Sequence, residues 1–216
     1  MFELCYNRFG DRMEKLLRLF DQLSKYRVPE YENFPEIDLY MDQVLTYIDK
    51  YMPSYLDQNN KLTASMINNY VKDKVIDAPI SKKYDKQSLA SLIIIANLKR
   101  VLPINDIKVI LTDQNETIES LYNAYEKTLN DVTFQMATDA KSIIESTDEQ
   151  RQDLKMLALR LALDASIKSY IAHVILQSDL LALSSVEDSH KDKKQKKKKQ
   201  KSTKEVDDLS ELTTES

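Results

Sequence analysis

Residues 63–84 hold the side chains best suited to chemistry on a polyanion. Thr63, Ser65, Asn68 and Asn69 supply hydroxyls and carboxamides within seven positions, and Lys72, Lys74, Lys82 and Lys83 supply cations just beyond. A carboxamide can bond the N6/N7 edge of adenine bidentately, while lysine ammonium groups and short hydroxyls secure phosphate oxygens. Ile67, Tyr70 and Val71 stand at i, i+3 and i+4 in the same stretch. That spacing predicts a helix over 63–73 with one apolar face in a core, leaving Ser65, Met66, Asn68, Asn69 and Lys72 outward. Thr63 stands where its hydroxyl can cap the first turn. Asp77-Ala78-Pro79 then turns the chain, and 80–84, with Lys82, Lys83 and Tyr84, read as a short basic wing. A helix carrying small polar readers beside such a wing is the grammar of a winged helix-turn-helix that binds double-stranded DNA.

The elements needed to hold this surface are helical. The chain has 216 residues, 42% of them hydrophobic, with one Gly and five Pro. Tight hairpins, phosphate loops and nucleophile elbows draw on Gly, so the fold class is mainly α, and the Rossmann fingerprint and the P-loop are excluded. Amphipathic spacing predicts helices over 11–27 (Met13, Leu16, Leu17, Phe20, Leu23) and 37–52 (Ile37, Tyr40, Met41, Val44, Leu45, Ile48), ended by Pro29 and Pro53. Leu89, Leu92, Ile93, Ile95 or Ala96, and Leu98 predict a core helix. Ile104, Ile107, Ile110 and Leu111 predict another. A long helix over 116–145 carries the stripe Ile118, Leu121, Tyr122, Tyr125, Leu129, Val132 and Met136. After a stop and restart at 146–150, a last helix over 148–183 is apolar almost all round, which predicts burial against its neighbour and a second subunit. The alternative is one intramolecular bundle that enlists residues 11–52. From Ser184 the sequence turns low-complexity, first Lys-rich and then acidic, which predicts a disordered tail. Its run 193–201 could add sequence-blind affinity for DNA or simply remain solvated.

Charge is uneven along the chain. The net charge is −4, yet residues 61–111 hold nine Lys/Arg against four Asp/Glu, a surplus of five, between acidic flanks. A local basic patch on an acidic protein is the footprint of a polyanion partner. The single cysteine, Cys5, permits neither an intramolecular disulfide nor a Cys-based zinc site, which fits a reducing cytoplasm. His173 and His190 lie far from any ligand set, so no metal, cofactor or catalytic constellation is expected, and the protein is not read as an enzyme. No run of apolar residues is long enough to span a membrane, and the N-terminal stretch lacks the marks of a secretory signal.

At these residues the chain resembles the MerR family of winged-helix regulators. The matching run is Met66-Ile67-Asn68-Asn69-Tyr70, then Lys74-Val75-Ile76 and Pro79. It continues through Lys82-Lys83-Tyr84, the apolar helix 89–98, and Pro103-Ile104-Asn105-Asp106-Ile107-Lys108. Asn68 stands where that family has Arg, Asn69 where it has Tyr, and Lys74 where it has Gly. The wing is several residues shorter and lacks Gly-Tyr-Arg. The resemblance implies phosphate contacts at Lys83 and Tyr84. More closely, residues 35–112 resemble the bacterial domain-of-unknown-function family 1836, which implies a cytoplasmic regulator from a Gram-positive bacterium with no known ligand. The implied organisation is an N-terminal helix and connector (1–34), a MerR-like winged helix-turn-helix domain (35–112), a helical hairpin or bundle for homodimerisation or effector binding (113–183), and the tail (184–216). A small-molecule effector lodged among Tyr122, Tyr125, Phe134, Met136 and Met156 is one use of the third region, and plain core packing is the other. The competing function is a protein-interaction module that keeps the winged scaffold without binding DNA.

Overall fold

A computed structural model describes residues 2–52, 61–112, 116–146 and 151–178. Most of the stop and restart expected at 146–150, past Ser146, and the Lys-rich tail from Ser184 lie outside the described residues. The chain forms two units, Met1–Tyr170 and Ile171–Ser216.

The first unit is almost wholly helical. Its elements are α1 (Phe2–Ser24), a single 3-10 turn (Tyr31–Asn33), β1 (Leu39–Tyr40), α2 (Met41–Tyr51), α3 (Ala64–Lys72), β2 (Lys83–Tyr84), α4 (Lys86–Leu98), α5 (Ile104–Leu111), α6 (Ile118–Ser146) and most of α7 (Arg151–Leu176). The described part of the second unit, 171–178, is the end of α7 and a closing turn in which Ser178 Oγ donates to the Ile175 carbonyl at 2.6 Å.

The core lies around α4. Residues 88–96 are all buried, so this helix has no solvent face. No charge interrupts the sequence between Lys86 and Lys99, which makes that possible. Its N-terminus is fixed by Asp85, whose carboxylate accepts from the Ser88 N–H at 2.8 Å. Val44 and Ile48 from α2, Ile67 from α3, Ile107 and Leu111 from α5, and Tyr122 from α6 complete the packing. The antiparallel pair β1–β2, with Leu39 opposite Tyr84 and Tyr40 opposite Lys83, ties the entry of α2 to the entry of α4. The helix expected over 37–52 therefore begins at Met41. Ile37 is not on its apolar face but 72% exposed, because residues 39–40 are taken by the strand.

Two expectations about the long helices are corrected. The buried stripe of α6 is Tyr122, Thr133, Ala137, Ala140 and Ile144, and Val132 and Met136 face solvent. The small Ala137 and Ala140 let α1 lie close along α6, with Leu16, Leu17, Phe20 and Leu23 half-buried on its near side. The helix that is buried all round within one copy is α4. Met156, Leu159, Leu163, Ile167 and Tyr170 of α7 are each at least half exposed among the described residues.

An aromatic cluster joins the α1–β1 connector to α2 and α6. Tyr122 lies 5.0 Å from Phe34 and 6.0 Å from Tyr31, ring centre to ring centre, and Phe34 lies 5.9 Å from Tyr47. The Tyr122 hydroxyl donates to the Pro29 carbonyl at 2.8 Å. Burial pushes the Tyr122 and Tyr47 phenols far above their ordinary range. The aromatic and methionine set considered as an effector pocket is thereby divided: Tyr122 is core, whereas Phe134, Met136 and Met156 are exposed.

Candidate nucleic-acid interface

α3 is held from beneath and open above. Ile67 is fully buried, and Tyr70 and Val71 are half-buried. Ser65, Asn68, Asn69 and Lys72 are exposed, as a helix with a 3.6-residue period requires once Ile67 is anchored. The Thr63 hydroxyl accepts from the Met66 N–H at 3.3 Å, so this side chain starts the helix. Met66 is half-buried rather than outward. Its sulfur lies 3.9 Å from Lys99 Nζ, which also donates to the Lys61 carbonyl at 3.2 Å. Burial lowers the pKa of Lys99.

The C-terminus of α3 closes in a Schellman arrangement. Val75 N–H reaches back to the Tyr70 carbonyl at 2.8 Å and Lys74 N–H to the Val71 carbonyl at 3.1 Å. Lys74 occupies the left-handed position with φ 55°. Lys108 of α5 donates to the Asp73 carbonyl at 2.7 Å, so one more α3-end carbonyl is satisfied by a cation from the neighbouring helix.

The segment expected as a wing is a two-residue hairpin turn. Lys83 N–H bonds the Ile80 carbonyl at 2.9 Å, and the central Ser81 and Lys82 both have positive φ, 51° and 65°. Positive φ at both central positions is the mark of a type I′ turn, whose twist matches the strands it joins. Lys82 is exposed and Lys83 half-buried, its Nζ 5.1 Å from the centre of the Tyr40 ring. Tyr84 departs from the expected site. It is 3% exposed, pairs with Leu39 in the strand, and turns its ring into the core, where burial raises its phenol pKa. A side chain so placed stabilises the hairpin and presents no surface to a phosphate.

The structure thus brings Ser65, Asn68, Asn69 and Lys72 onto one face of α3, with Lys74 at its end and Lys82 and Lys83 on the turn that follows. Thr63 works as a cap, Met66 is partly covered, and Tyr84 is covered. Residues 29–130 match the family model of a domain of unknown function, DUF1836. The DUF1836 match takes in every element from the α1–β1 connector to the first half of α6, and so includes the whole candidate surface. Comparison with curated proteins and with solved structures finds no match.

Sequence reasoning missed the commitments of the cations. Lys61 pairs with Asp49 at 2.6 Å, and Lys86 pairs with Glu36 at 3.1 Å while lying over the Tyr31 ring. With Lys83, Lys99 and Lys108 engaged as described, the cations of residues 61–111 that bond no described residue are Lys72, Lys74, Lys82 and Arg100. Arg100 is exposed just after α4 and was not foreseen. Its position following an apolar helix was the one available signal.

Of two clefts, the first adjoins this region. One of about 160 Å³ lies behind the α3–β2 connector, between Lys74–Asp77, Gln87, Ser88 and Ser91 of α4, and Leu111–Thr112. Another, of about 380 Å³, lies between α6 and α7 and is lined by Met136, Ile143, Leu157, Leu161 and the charged Asp139, Arg160 and Asp164. Among the described residues no group of three or more His, Cys, Asp or Glu could hold a metal ion, and no helix is long and apolar enough to cross a membrane.

Proposed function

We propose that residues 35–112 form a winged helix-turn-helix that binds double-stranded DNA, with α3 in the major groove and the 80–84 turn on the adjacent backbone. The observation that carries this reading is the division of α3. One face is locked by Ile67, and the other offers Ser65, Asn68, Asn69 and Lys72 with no competing partner among the described residues. Asparagine readers on a rigid helix can distinguish base edges, and uncommitted lysines beside them add the sequence-blind phosphate term. The element order β1–α2–α3–β2–α4–α5, with the strands paired, supports the same reading and its MerR-like character.

The reading includes a homodimer through the 113–183 region. Met156, Leu159, Leu163, Ile167 and Tyr170 share one face of α7 at three- and four-residue spacing and are 50–68% exposed. Five contiguous large side chains left open on one helix face are the seam that a second copy would cover. A dimer would set two α3 helices in successive major grooves about 34 Å apart on a pseudo-palindromic site.

A second reading, a protein-interaction module on the same scaffold, is favoured by Ile80, which is 81% exposed at the hairpin beside the half-exposed Tyr40. In vitro selection from a random duplex library separates the two. Enrichment of a two-fold-related motif supports the regulator. Recovery of unselected sequence at low salt, together with a single stoichiometric protein partner, supports the interaction module.

A further inference from the structure

A residue with a Cβ is disfavoured in left-handed backbone conformations, because Cβ approaches the following carbonyl oxygen. Among the described residues three non-glycine positions nevertheless have positive φ: Lys74, which closes the C-terminus of α3, and Ser81 and Lys82, the centre of the turn before β2. Each stands where local geometry demands that conformation. Lys74 closes the Schellman arrangement, a position that favours Gly or Asn. Ser81 and Lys82 form a type I′ turn, which favours Asn-Gly. Lysine has neither the missing Cβ of glycine nor the short carboxamide that lets asparagine tolerate this region.

The two lysines are also distinguished by what they do not touch. Both are exposed, and neither has an ion pair or hydrogen bond from its ammonium to any described residue, whereas Lys61, Lys83, Lys86, Lys99 and Lys108 are all engaged. Strained positions persist where the strained residue has a use that a relaxed one would not serve. We propose that Lys74 and Lys82 are phosphate-contacting cations set on the two tight turns that follow α3 in the chain, retained against backbone preference because they grip the DNA backbone. This rests on the DNA-binding reading and singles out, among its lysines, the two whose strained backbone fixes where the phosphate grip falls.

The test uses the full chain with the single variants Lys74→Gly and Lys82→Gly, and Lys74→Arg and Lys82→Arg as charge-keeping partners. Thermal unfolding and affinity for a random-sequence 30-base-pair duplex are measured across a salt series. Each glycine variant is expected to raise Tm by about 2–4 °C as the left-handed strain is relieved. Each should also lower the slope of log affinity against log salt by about one, with the arginine variants keeping the parental slope. A glycine variant that gains Tm with an unchanged salt slope overturns the proposal while leaving DNA binding intact. A parental protein with no salt-dependent affinity for any duplex removes both the DNA-binding reading and the proposal.

Discussion

Tyr122→Phe isolates one hydrogen bond that crosses the molecule. The Tyr122 hydroxyl, wholly buried, donates to the Pro29 carbonyl at 2.8 Å, joining α6 to the connector after α1. Phenylalanine keeps the ring and its contacts with Phe34 and Tyr31, so packing changes little. What is lost is one neutral hydrogen bond, and the carbonyl of a buried residue is left unpaired. Together these cost about 1–2 kcal/mol at pH 7. The effect carries a pH signature as well. Burial holds the folded-state phenol neutral above its ordinary pKa of 10.0. Above pH 10 the unfolded chain gives up that proton while the folded chain keeps it, so the parental protein loses up to about 1.4 kcal/mol of stability per pH unit from this group alone. Phenylalanine has no proton to lose. The stability gap between the two proteins should therefore be full below pH 10 and shrink as pH rises above it. Urea unfolding of both proteins at pH 7, 9, 10.5 and 11 measures this directly. A gap at pH 7 of only a few tenths of a kcal/mol would refute the hydrogen-bond argument. A gap that stays constant up to pH 11 would refute the assignment of the buried neutral phenol.

Thr63→Ala removes the cap of α3 and should lower stability by about 1 kcal/mol in denaturant titration, whereas Thr63→Ser should restore most of it. Asn69→Ala should flatten base preference at one position of a selected DNA motif, costing about 1–3 kcal/mol there while leaving random-sequence affinity unchanged. Lys83→Ala should weaken all duplexes about equally. An unchanged affinity, read by titration against two unrelated sequences, would remove the hairpin from the interface. Leu163→Asp, in the middle of the exposed face of α7, should shift sedimentation from dimer to monomer without loss of helical circular dichroism.

Much of this fold was legible because helices announce themselves by period. The Ile67, Tyr70, Val71 face set the position of α3 and the outward side of its asparagines. The uncharged stretch after Lys86 set α4. The pair β1–β2 was not legible, since strands of two residues are too short to show alternation, and one of them hides in the entry to α2. The type I′ turn gave no signal either, because Ser81-Lys82 replaces the Asn-Gly by which such turns are recognised. Tyr84 was misplaced for the same reason. With no strand in view, nothing indicated which face of the chain it would take. α7 misled because an apolar helix predicts burial without naming the partner, and no described element covers its outer face.

The pairing of α1 with α6 has a consequence for the order of assembly. The α1 helix ends at Ser24 and α6 begins at Ile118, and Tyr122 bonds a carbonyl 93 residues earlier in the chain. During synthesis α1 is made well before α6, the helix whose surface it covers. The units in between can close on contacts nearer in sequence, with α2 meeting α3 and α4. Docking of α1 is then the step of greatest loop closure, and the slowest by topology. Until it occurs, the apolar side of α1 stays open to chaperones and proteases, so a chain stalled before α6 should be cut within α1.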